Sequence, residues 1–442
     1  MARTTWTNWA GNQVCLPHAL ERPVDVAGVV DVVERARAGG RTVRVVGAGH
    51  SFTPIVPTDG HLVDLSALDR VLAVDAERGL ATVEAGISLA ALSDELAARG
   101  LALENLGDIN VQSLAGATAT STHGTGLRFG NLSSMVAGFR LVTAAGDVVT
   151  ASPTERPDLL DVGRTSLGAL GVVVEITVRV VPAFTLHAVV QPEPLDDVLA
   201  ELDHHLGAND HFELFWIPHT GTALTKRNRR SREPAAPRSA ARQWVEGTLV
   251  ENVAFGALCR LGRAAPGLVP TLAGVVAGAT SRSEWSDRSD RVFASPRRVR
   301  FVESEWSVPV DRLAEAVRAT RAVHERLGLP MSFPVEVRAV AGDDIPLSTA
   351  HGGPRGYVAV HAYRGTPHEE WFRAVQDVML PLGGRPHWGK LHTLGAAELA
   401  PLYPRWSEFQ AARAELDPHG TFTTPAVERL LGPAPAVSAQ GP

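Results

Sequence analysis

The sequence predicts an α+β protein with more than one domain. A chain of 442 residues exceeds one ordinary domain, and 45% hydrophobic residues can fill a large core. Helical and strand-like patterns alternate up to Pro182, and the texture changes beyond it. We therefore expect a mixed domain over 1–182 and a second domain over 183–390, with an antiparallel sheet backed by helices.

The elements of the first domain follow from apolar spacing and turn residues. The patterns "VDVAGVVDVVERARAGG" and "SLAALSDELAARG" predict helices, the second with Ser88 as its N-cap. Short strands are predicted at "RTVRVV" and "HLVDLS". The turns "AERG" and "AAGD" predict two hairpins, and "GVVVEITVRVV" predicts a long strand that ends at Pro182.

The second domain shows fewer but longer elements. Strands are predicted at "RRVRFVESEWSV", "FPVEVRAV" and "GYVAVHAYR", and a helix at "DRLAEAVRATRAVHERLG". The basic, proline- and alanine-rich residues 226–242 predict a solvated loop. The apolar stretch 265–280 is short and interrupted by prolines, so we expect a buried helix there. The tail, 433–442, is expected to be disordered.

Composition narrows the function classes. A net charge of −6 gives no reason to expect nucleic acid as a partner. Two cysteines argue against a disulfide scaffold and fit a reducing compartment. The N-terminus has no uninterrupted apolar run of the kind a signal peptide needs. We expect a cytoplasmic protein and leave peripheral membrane contact open.

Two glycine-rich segments predict a large cofactor that carries phosphate. In "VVGAGHS", Gly47, Ala48 and Gly49 let backbone N–H groups approach a pyrophosphate closely, and His50 and Ser51 follow at once. The segment 104–126, "ENLGDINVQSLAGATATSTHGTG", combines small side chains with hydroxyl groups. Either segment alone is also compatible with a tight turn, whereas the two together favour a cofactor.

Two later motifs offer groups for a substrate. Glu336 and Arg338 lie two apart in a predicted strand and share a face, so the acid can orient the guanidinium. An ordinary ion pair is the plainer alternative. The segment "GGRPHWGKLHT" brings together His387, Lys390 and His392, and no cluster of carboxylates or cysteines matches it, so no metal is expected.

Taken together, the segments resemble a known family. "GAGHSFTPIVPTDG", "NLGDINVQSLAGATATSTHGTG", "SLGALGVVVEITV", "VEVRAVAGDDI" and "GGRPHWGK" are similar, in order and spacing, to the sugar-1,4-lactone oxidoreductases. These are gulono-, galactono- and arabinono-lactone oxidases and dehydrogenases, related to the alditol oxidases within the vanillyl-alcohol-oxidase type of flavoproteins. The resemblance implies a PCMH-type FAD-binding domain of two subdomains, completed by residues 391–432, and a cap domain over the flavin ring.

The resemblance also assigns cofactor residues. His50 matches a histidine bonded covalently to the flavin 8α carbon, and Val172 matches a backbone contact to the cofactor. Gly107 matches a position near the C4a–N5 edge of the flavin where alanine is associated with exclusion of oxygen. The other matched positions are, for the pyrophosphate loop, Gly47, Ala48, Gly49 and Ser51, and, for the second segment, Asp108, Ser113, Gly116, Thr120, Ser121, Thr122 and His123.

On the substrate side, the resemblance points to Glu336, Arg338, Lys390 and His361. It implies oxidation of an aldono-1,4-lactone at the C2 hydroxyl by hydride transfer to flavin N5. Lys390 is the first choice of base if burial near Arg338 lowers its pKa, and His387 is the alternative.

Several alternatives stay open at this point. An alditol oxidase is the nearest, although those enzymes have serine where this chain has Asp108. A flavin-binding module without turnover is another. A reductase using NADPH is disfavoured, since no nicotinamide-site motif is found. The electron acceptor is oxygen, if Gly107 leaves space for it, or a cytochrome or quinone.

Overall fold

The computed structural model describes residues 4–239 and 252–434. Within them the strands are β1 (Trp6–Thr7), β2 (Val14–Cys15), β3 (Ala19–Glu21), β4 (Val43–Val46), β5 (His61–Asp64), β6 (Val71–Asp75), β7 (Leu80–Glu84), β8 (Leu101–Ala102), β9 (Val136–Val142), β10 (Val148–Ala151), β11 (Val172–Arg179), β12 (Val181–Pro182), β13 (Thr185–Pro194), β14 (His211–Trp216), β15 (Thr222–Ser231), β16 (Ser283–Arg288), β17 (Phe301–Pro309), β18 (Val335–Val340), β19 (Arg355–Tyr363) and β20 (Arg385–Pro386).

The α-helices alternate with these strands along the chain. They are α1 (Val26–Ala38), α2 (Leu89–Ala97), α3 (Leu114–Ala119), α4 (Pro157–Gly163), α5 (Leu195–Ala200), α6 (Leu202–Ala208), α7 (Phe255–Ala264), α8 (Val269–Ala279), α9 (Ser289–Phe293), α10 (Leu313–Leu327), α11 (Glu369–Met379), α12 (Ala396–Leu399), α13 (Trp406–Leu416) and α14 (Pro425–Leu431).

The first two sheets form the N-terminal part. β3, β5 and β4 make a small parallel sheet, and β10, β9, β11, β7 and β6 make a five-stranded antiparallel sheet in that order. The two expected hairpins are β6–β7 and β9–β10. Asp25 and Ser88 cap α1 and α2 by accepting a backbone N–H, as side chains of this type do at helix starts.

The third sheet carries the second part of the chain. Its eight strands run in the order β16-β13-β15-β14-β18-β19-β17-β20, and every recorded pairing is antiparallel. α10 and α11 pack on each other and on this sheet. The expected α+β class, with an antiparallel sheet backed by helices, is confirmed.

The C-terminal segment contacts the first sheet. The Val43 amide donates to the Thr421 carbonyl at 2.8 Å, and Phe422 is buried in the core that α1 shares with β4 and β5. We keep 1–182, 183–390 and 391–432 as proposed domain boundaries. Of the tail expected to be disordered, 433–442, all but the first two residues lie outside the described part of the chain.

Two expectations about the second domain were wrong. Residues 226–231 of the expected loop are the end of β15, an interior strand of the eight-stranded sheet. Residues 240–242 lie outside the described residues. The expected buried helix at 265–280 is exposed: Val269 is the only buried residue of α8, and Val275 is 61% exposed. Among the described residues, none of the helices has the length and apolar character that crossing a membrane requires.

Candidate active site

A cavity of about 360 Å³ opens where the first two sheets meet. It is lined by the residues that follow β4, β5 and β7 and by those that precede β11. Eight of the predicted cofactor residues line it: Gly47, Ala48, Gly49, His50, Ser51, Ser113, Gly116 and Thr120. The two glycine-rich segments therefore meet at one cavity, as the sequence predicted.

The loop after β4 leaves room for backbone only. A Cβ on Gly47 would collide with Ser113 Oγ, and Gly49 has φ +68°, in the left-handed region that favours glycine. Backbone N–H groups on such a loop can approach a pyrophosphate at distances that side chains would prevent. The loop therefore fits the cofactor that the sequence implies.

Arg44 lines this cavity and holds together the backbone segments that surround it. Its guanidinium is buried and donates to the carbonyls of Ile55 at 2.8 Å and Gly168 at 3.0 Å, and also to those of Leu167 and Phe422. Burial lowers the pKa of Arg44 to about 10, so it stays positively charged at neutral pH. Sequence analysis missed this residue because its partners are carbonyl groups from three distant segments.

His50 lies at the end of the cavity nearer the second domain. Its ring stacks on Trp9, with ring centroids 5.0 Å apart, and Trp9 in turn donates its backbone N–H to the Gly49 carbonyl. Burial, aided by the charge of Lys390, lowers the pKa of His50 to about 4. The imidazole is therefore neutral and keeps a free lone pair at physiological pH.

One face of the eight-stranded sheet carries the predicted substrate groups. The cross-strand register places Glu336 opposite Ala359 and Ala359 opposite Glu305. Arg338 pairs with Tyr357 in the next row, and Glu303 with His361 in the row on the other side. Because residues two apart in a strand share a face, these charged groups form a single polar surface.

Arg338 is the centre of this surface. Its Nε donates to Glu213 Oε2 at 2.8 Å, and its Nη2 contacts the carboxyl group of Glu336 and lies 3.8 Å from Asp108 Oδ1. The predicted contact between Arg338 and Glu336 is therefore present. The carboxylates raise the pKa of Arg338 well above its usual value despite burial, so the guanidinium is permanently charged.

Asp108 links the first part of the chain to the second. Its carboxylate accepts two hydrogen bonds from Arg297, at 2.7 and 3.1 Å, and its carbonyl accepts one from the Ser295 amide. Burial favours its neutral form, but Arg297 and Arg338 outweigh burial and lower the pKa of Asp108 far below its usual value. An ionised carboxylate thus stands where the alditol oxidases have a serine.

Lys390 does not have the lowered pKa that its expected role as base requires. Its Nζ forms an ion pair with Glu303, and Glu305 is also close enough to act on it. Burial alone would lower the pKa of Lys390, but these two carboxylates outweigh burial and raise it. The ammonium group already holds its proton, so the condition attached to the prediction of Lys390 as base is not met.

The two histidines differ in which nitrogen carries a lone pair. His387 Nδ1 accepts the Gly389 amide hydrogen at 3.1 Å, which places the proton of the neutral ring on Nε2. His361 Nδ1 lies 3.1 Å from the Pro334 carbonyl and must donate to it, so its Nε2 is free to accept. Burial lowers the pKa of both rings, that of His387 to about 3, so both are neutral.

His123 lies on this surface rather than on the cavity. Its ring stacks on Tyr357, and its Nε2 lies 3.1 Å from Glu305 Oε1. Of the neighbouring predicted residues, Ser121 bonds to Ser348 and Thr349 in the second domain. None of Ser121, Thr122, His123, Gly107, Asp108 and Val172 lines the cavity, although Gly171 and Val173 do.

One group in the described residues has the composition of a metal site. Ligand atoms of His123, Glu305 and His387 lie within 4.8 Å of one another, all buried. His123 already uses both nitrogens, toward the Gly124 carbonyl and toward Glu305, and His387 accepts an amide. We interpret the group as a hydrogen-bonded cluster.

Charge balance singles out Glu336 as the neutral acid. Five acidic side chains face four basic ones across this surface: Asp108, Glu213, Glu303, Glu305 and Glu336 against Lys226, Arg297, Arg338 and Lys390. Burial and the other carboxylates raise the pKa of Glu336 to about 8, against the pull of Arg338. Below that pH Glu336 is protonated and adds no negative charge beside Arg338.

Sequence analysis missed five of these nine groups: Glu213, Glu303, Glu305, Lys226 and Arg297. Glu213 stands in the apolar strand "HFELFW", and Glu303 and Glu305 alternate with apolar residues in "FVESEWSV". These residues could have been found in the sequence, because acidic residues at inward-facing positions of an otherwise apolar strand indicate a buried polar site. Lys226 was missed because it lies in the basic stretch taken as a loop.

Comparison with known proteins decides the family. The sequence profile of the D-arabinono-1,4-lactone oxidase family matches residues 176–430, more than half of the chain, and that of an FAD binding domain matches residues 17–152. The chain belongs to the D-arabinono-1,4-lactone oxidase family. The resemblance drawn from the motifs is thereby confirmed.

Relatives across the whole length agree with this family. The L-gulono-1,4-lactone dehydrogenase of Mycobacterium tuberculosis is 46% identical over 428 residues, which cover 97% of this chain and 99% of that protein. The L-gulonolactone oxidase of Scyliorhinus torazame is 34% identical, covering 96% and 97%. A solved structure of cholesterol oxidase from B. sterolicum shares the fold, with a TM-score of 0.83 at 18% identity and 97% coverage of both chains. The expected PCMH-type fold of this chain is confirmed.

Proposed function

We propose that this protein oxidises an aldono-1,4-lactone at its C2 hydroxyl, with L-gulono-, L-galactono- or D-arabinono-1,4-lactone as the substrate class. The observation that supports this most is Arg338, a permanent cation on the buried polar surface, beside Asp108 of the FAD-binding part. Relatives that are named for such lactones, and that are similar to this chain over almost their whole length, support the substrate class.

The cofactor proposed for this site is FAD, held by the loop 47–51 and by Ser113, Gly116 and Thr120 along the cavity. When bound, FAD supplies the acceptor for the hydride that leaves C2 of the substrate. We further propose that His50 is bonded to the flavin 8α carbon. The neutral imidazole and its stacking on Trp9 support this, because formation of such a bond needs a free lone pair in a fixed direction.

Arg338 and Lys390 bind the substrate and favour loss of its hydroxyl proton. Both are cations in a buried site, where a charge acts on developing negative charge more strongly than it would in water. Glu213 and Glu336 hold the guanidinium of Arg338 in place. Glu303 does the same for the ammonium group of Lys390.

We propose His361 as the proton acceptor in place of Lys390. Its Nε2 is unprotonated and lies 3.6 Å from Glu303 Oε1, so the imidazolium formed by proton uptake gains a carboxylate neighbour. Glu303 lies beside the accepting nitrogen itself, whereas the Pro334 carbonyl holds the opposite nitrogen. His387 is less suited, since its only free nitrogen carries a hydrogen.

The pH profile of flavin reduction tests both roles. We expect the rate to fall below the lowered pKa of His361, where the base becomes protonated, and also above about pH 8, where Glu336 ionises and offsets the charge of Arg338. His361→Gln should lose the acid limb and slow reduction about 10²–10⁴-fold. Glu336→Gln should lose only the alkaline limb. Unchanged limbs in both variants, measured by anaerobic stopped flow, would refute the assignments.

Oxygen is proposed as one electron acceptor, because Gly107 leaves space that a side chain would fill. Gly107 does not have a positive φ, so its backbone does not require glycine. An added Cβ would lie 3.2 Å from the His123 carbonyl oxygen and 3.8 Å from Thr122 Cγ2. A small shift of the backbone would therefore accommodate alanine at position 107.

Gly107→Ala should therefore fold and be reduced by lactone at the usual rate but react more slowly with air. The test is to mix photoreduced enzyme with air-saturated buffer and time the return of flavin absorbance. Gly207→Ala is a matched control, because nothing lies within 4 Å of its added Cβ. Equal reoxidation rates in wild type and Gly107→Ala would exclude Gly107 as the oxygen path, and a cytochrome or quinone would become the proposed acceptor.

The substrate class is tested by anaerobic incubation with a panel of lactones and polyols. Bleaching of the flavin by lactones supports the proposal, and bleaching by xylitol or sorbitol alone would establish an alditol oxidase instead. Bleaching by neither class would favour a flavin-binding module without turnover.

A further inference from the structure

Both ring nitrogens of His123 are directed at hydrogen-bond acceptors. Nδ1 lies 2.8 Å from the Gly124 carbonyl oxygen, and Nε2 lies 3.1 Å from Glu305 Oε1. A neutral imidazole carries one hydrogen, so it would leave one of its nitrogens bare against an oxygen atom. Both contacts are hydrogen bonds only if His123 and Glu305 together hold one further proton. The geometry therefore indicates a proton stored between Nε2 and Oε1.

The surroundings of the pair place this proton on His123. Burial alone would raise the pKa of Glu305, but the positive charges of His123 and Lys390 outweigh burial and lower it far below its usual value. Glu305 is therefore the carboxylate of the pair, and His123 is the imidazolium. Both side chains are buried, and the His123 ring stacks on Tyr357 with ring centroids 3.6 Å apart. Water therefore screens the charge of the imidazolium only weakly.

The same residue adjoins the position proposed for oxygen. A Cβ added to Gly107 would lie 3.2 Å from the His123 carbonyl oxygen. The residue after Gly107 is Asp108, whose carboxylate lies 3.8 Å from the guanidinium of Arg338 on the substrate surface. Arg338 is in turn the cross-strand partner of Tyr357, on which the His123 ring stacks. The stored proton, the proposed oxygen path and the substrate groups therefore share one buried region.

We propose that the His123 imidazolium attracts the negative charge that forms on oxygen and supplies a proton to it, an assignment that rests on the proposed oxidase function. Conversion of oxygen into hydrogen peroxide takes up two electrons and two protons. Reduced FAD, as the proposed reaction forms it, brings both electrons and one proton. The second proton leaves His123 Nε2, and the ring that remains is neutral. A buried cation acts strongly on such developing charge, and a general acid contributes about 10²–10⁴-fold in rate.

The proton that His123 loses is replaced from the substrate side. In the proposed reaction, oxidation of the lactone transfers its hydroxyl proton to His361. His361 Nε2 lies 3.6 Å from Glu303 Oε1, and Glu303 forms an ion pair with Lys390. The charge of Lys390 also acts on Glu305, which contacts His123. This row of acids and bases connects the acceptor of the substrate proton to the donor of the peroxide proton, so one turnover restores the site.

Nitrogen NMR of the holoenzyme, with histidine labelled at its ring nitrogens, tests the stored proton without turnover. An imidazolium has two protonated nitrogens with similar shifts, whereas a neutral ring has one protonated and one bare nitrogen that resonate far apart. We expect an imidazolium signal at neutral pH that is lost in His123→Gln and in Glu305→Gln. His211→Gln is the matched control and should keep the signal. His211 is also buried, with Nδ1 2.7 Å from the Thr125 carbonyl oxygen, but its Nε2 has no hydrogen-bond partner in the described part of the chain.

Reoxidation of the photoreduced enzyme in air-saturated buffer tests the use of this proton. Light reduces the flavin without lactone, so failure of the proposed lactone reaction would leave this test intact. We expect His123→Gln and Glu305→Gln each to slow the return of flavin absorbance about 10²–10³-fold, and His211→Gln to match the wild type. If one of the two slow variants does not fold, the other decides. A neutral His123 ring in the wild type, a wild type that air does not reoxidise, or reoxidation of the folded variants within a few-fold of the wild-type rate would overturn the proposal.

Discussion

Replacing Arg338 by alanine should slow the reduction of the flavin by lactone about 10²–10³-fold, the usual cost of losing one charge-stabilising donor. The structure gives the reason. The guanidinium is buried, permanently charged and oriented by Glu213 and Glu336, and alanine supplies no positive charge in its place. Lys390→Ala should have an effect of similar size, because it removes the other of the two cations proposed to bind the substrate.

The effect of Arg338→Ala on folding should be smaller than its effect on rate. Asp108 keeps its contact with Arg297, and Glu213 keeps its ion pair with Lys226 at 3.0 Å. Glu336 already holds a proton near neutral pH. The three carboxyl groups therefore each keep a partner or stay neutral after the change.

The measurement is single-turnover reduction by stopped flow, together with thermal unfolding of the same sample. Arg355→Met is the matched control, since Arg355, on the adjacent strand β19, is also buried and donates to the carbonyls of Ser307 and Gly383. It should lower stability and leave the reduction rate close to that of the wild type. A reduction rate in Arg338→Ala within a few-fold of the wild type would remove Arg338 from the chemistry.

The second large effect concerns His50. In the wild type the flavin should stay attached to the protein after denaturation, and in His50→Ala it should be released. His50 lines the cofactor cavity, its imidazole is neutral, and Trp9 fixes the ring plane. A histidyl bond also withdraws electron density from the flavin, so the variant should have a lower reduction potential as well as a looser cofactor.

Acid precipitation separates these outcomes directly. Wild-type protein should carry its yellow colour into the pellet, and His50→Ala should leave it in the supernatant. His61→Ala serves as the control, because His61 is a buried histidine of β5 that lies 3.1 Å from Glu21 and does not line the cavity. It should keep the colour in the pellet. Full release of flavin from the wild type would disprove the covalent bond.

Local patterns predicted the parts of this fold that depend on neighbouring residues. Ser88 caps α2 because a short oxygen-bearing side chain reaches the amide three residues later, and this was predicted from the order of residues. The glycines of "VVGAGHS" predicted the cofactor loop because this signal, too, lies in adjacent residues. Glu336 and Arg338 were found together because strand periodicity places them on one face.

The remaining features depend on contacts between distant segments. Residues 226–231 appear solvated from their composition, but Lys226 pairs with Glu213 of the adjacent strand, and Asn228 is buried. The pKa of Lys390 is set by Glu303, 87 positions away, which no local pattern connects to it. The exposure of α8 could not be predicted either, because the apolar residues of a helix do not indicate which other segment, if any, packs against them.

Anaerobic mixing of the enzyme with L-gulono-1,4-lactone, followed by flavin absorbance, tests the central claim most directly. We predict that the lactone bleaches the flavin completely in a single turnover, with a rate that saturates as the lactone concentration rises, and that sorbitol does not. A flavin that stays oxidised with every aldono-1,4-lactone, in protein that dithionite reduces normally, would contradict the proposed function.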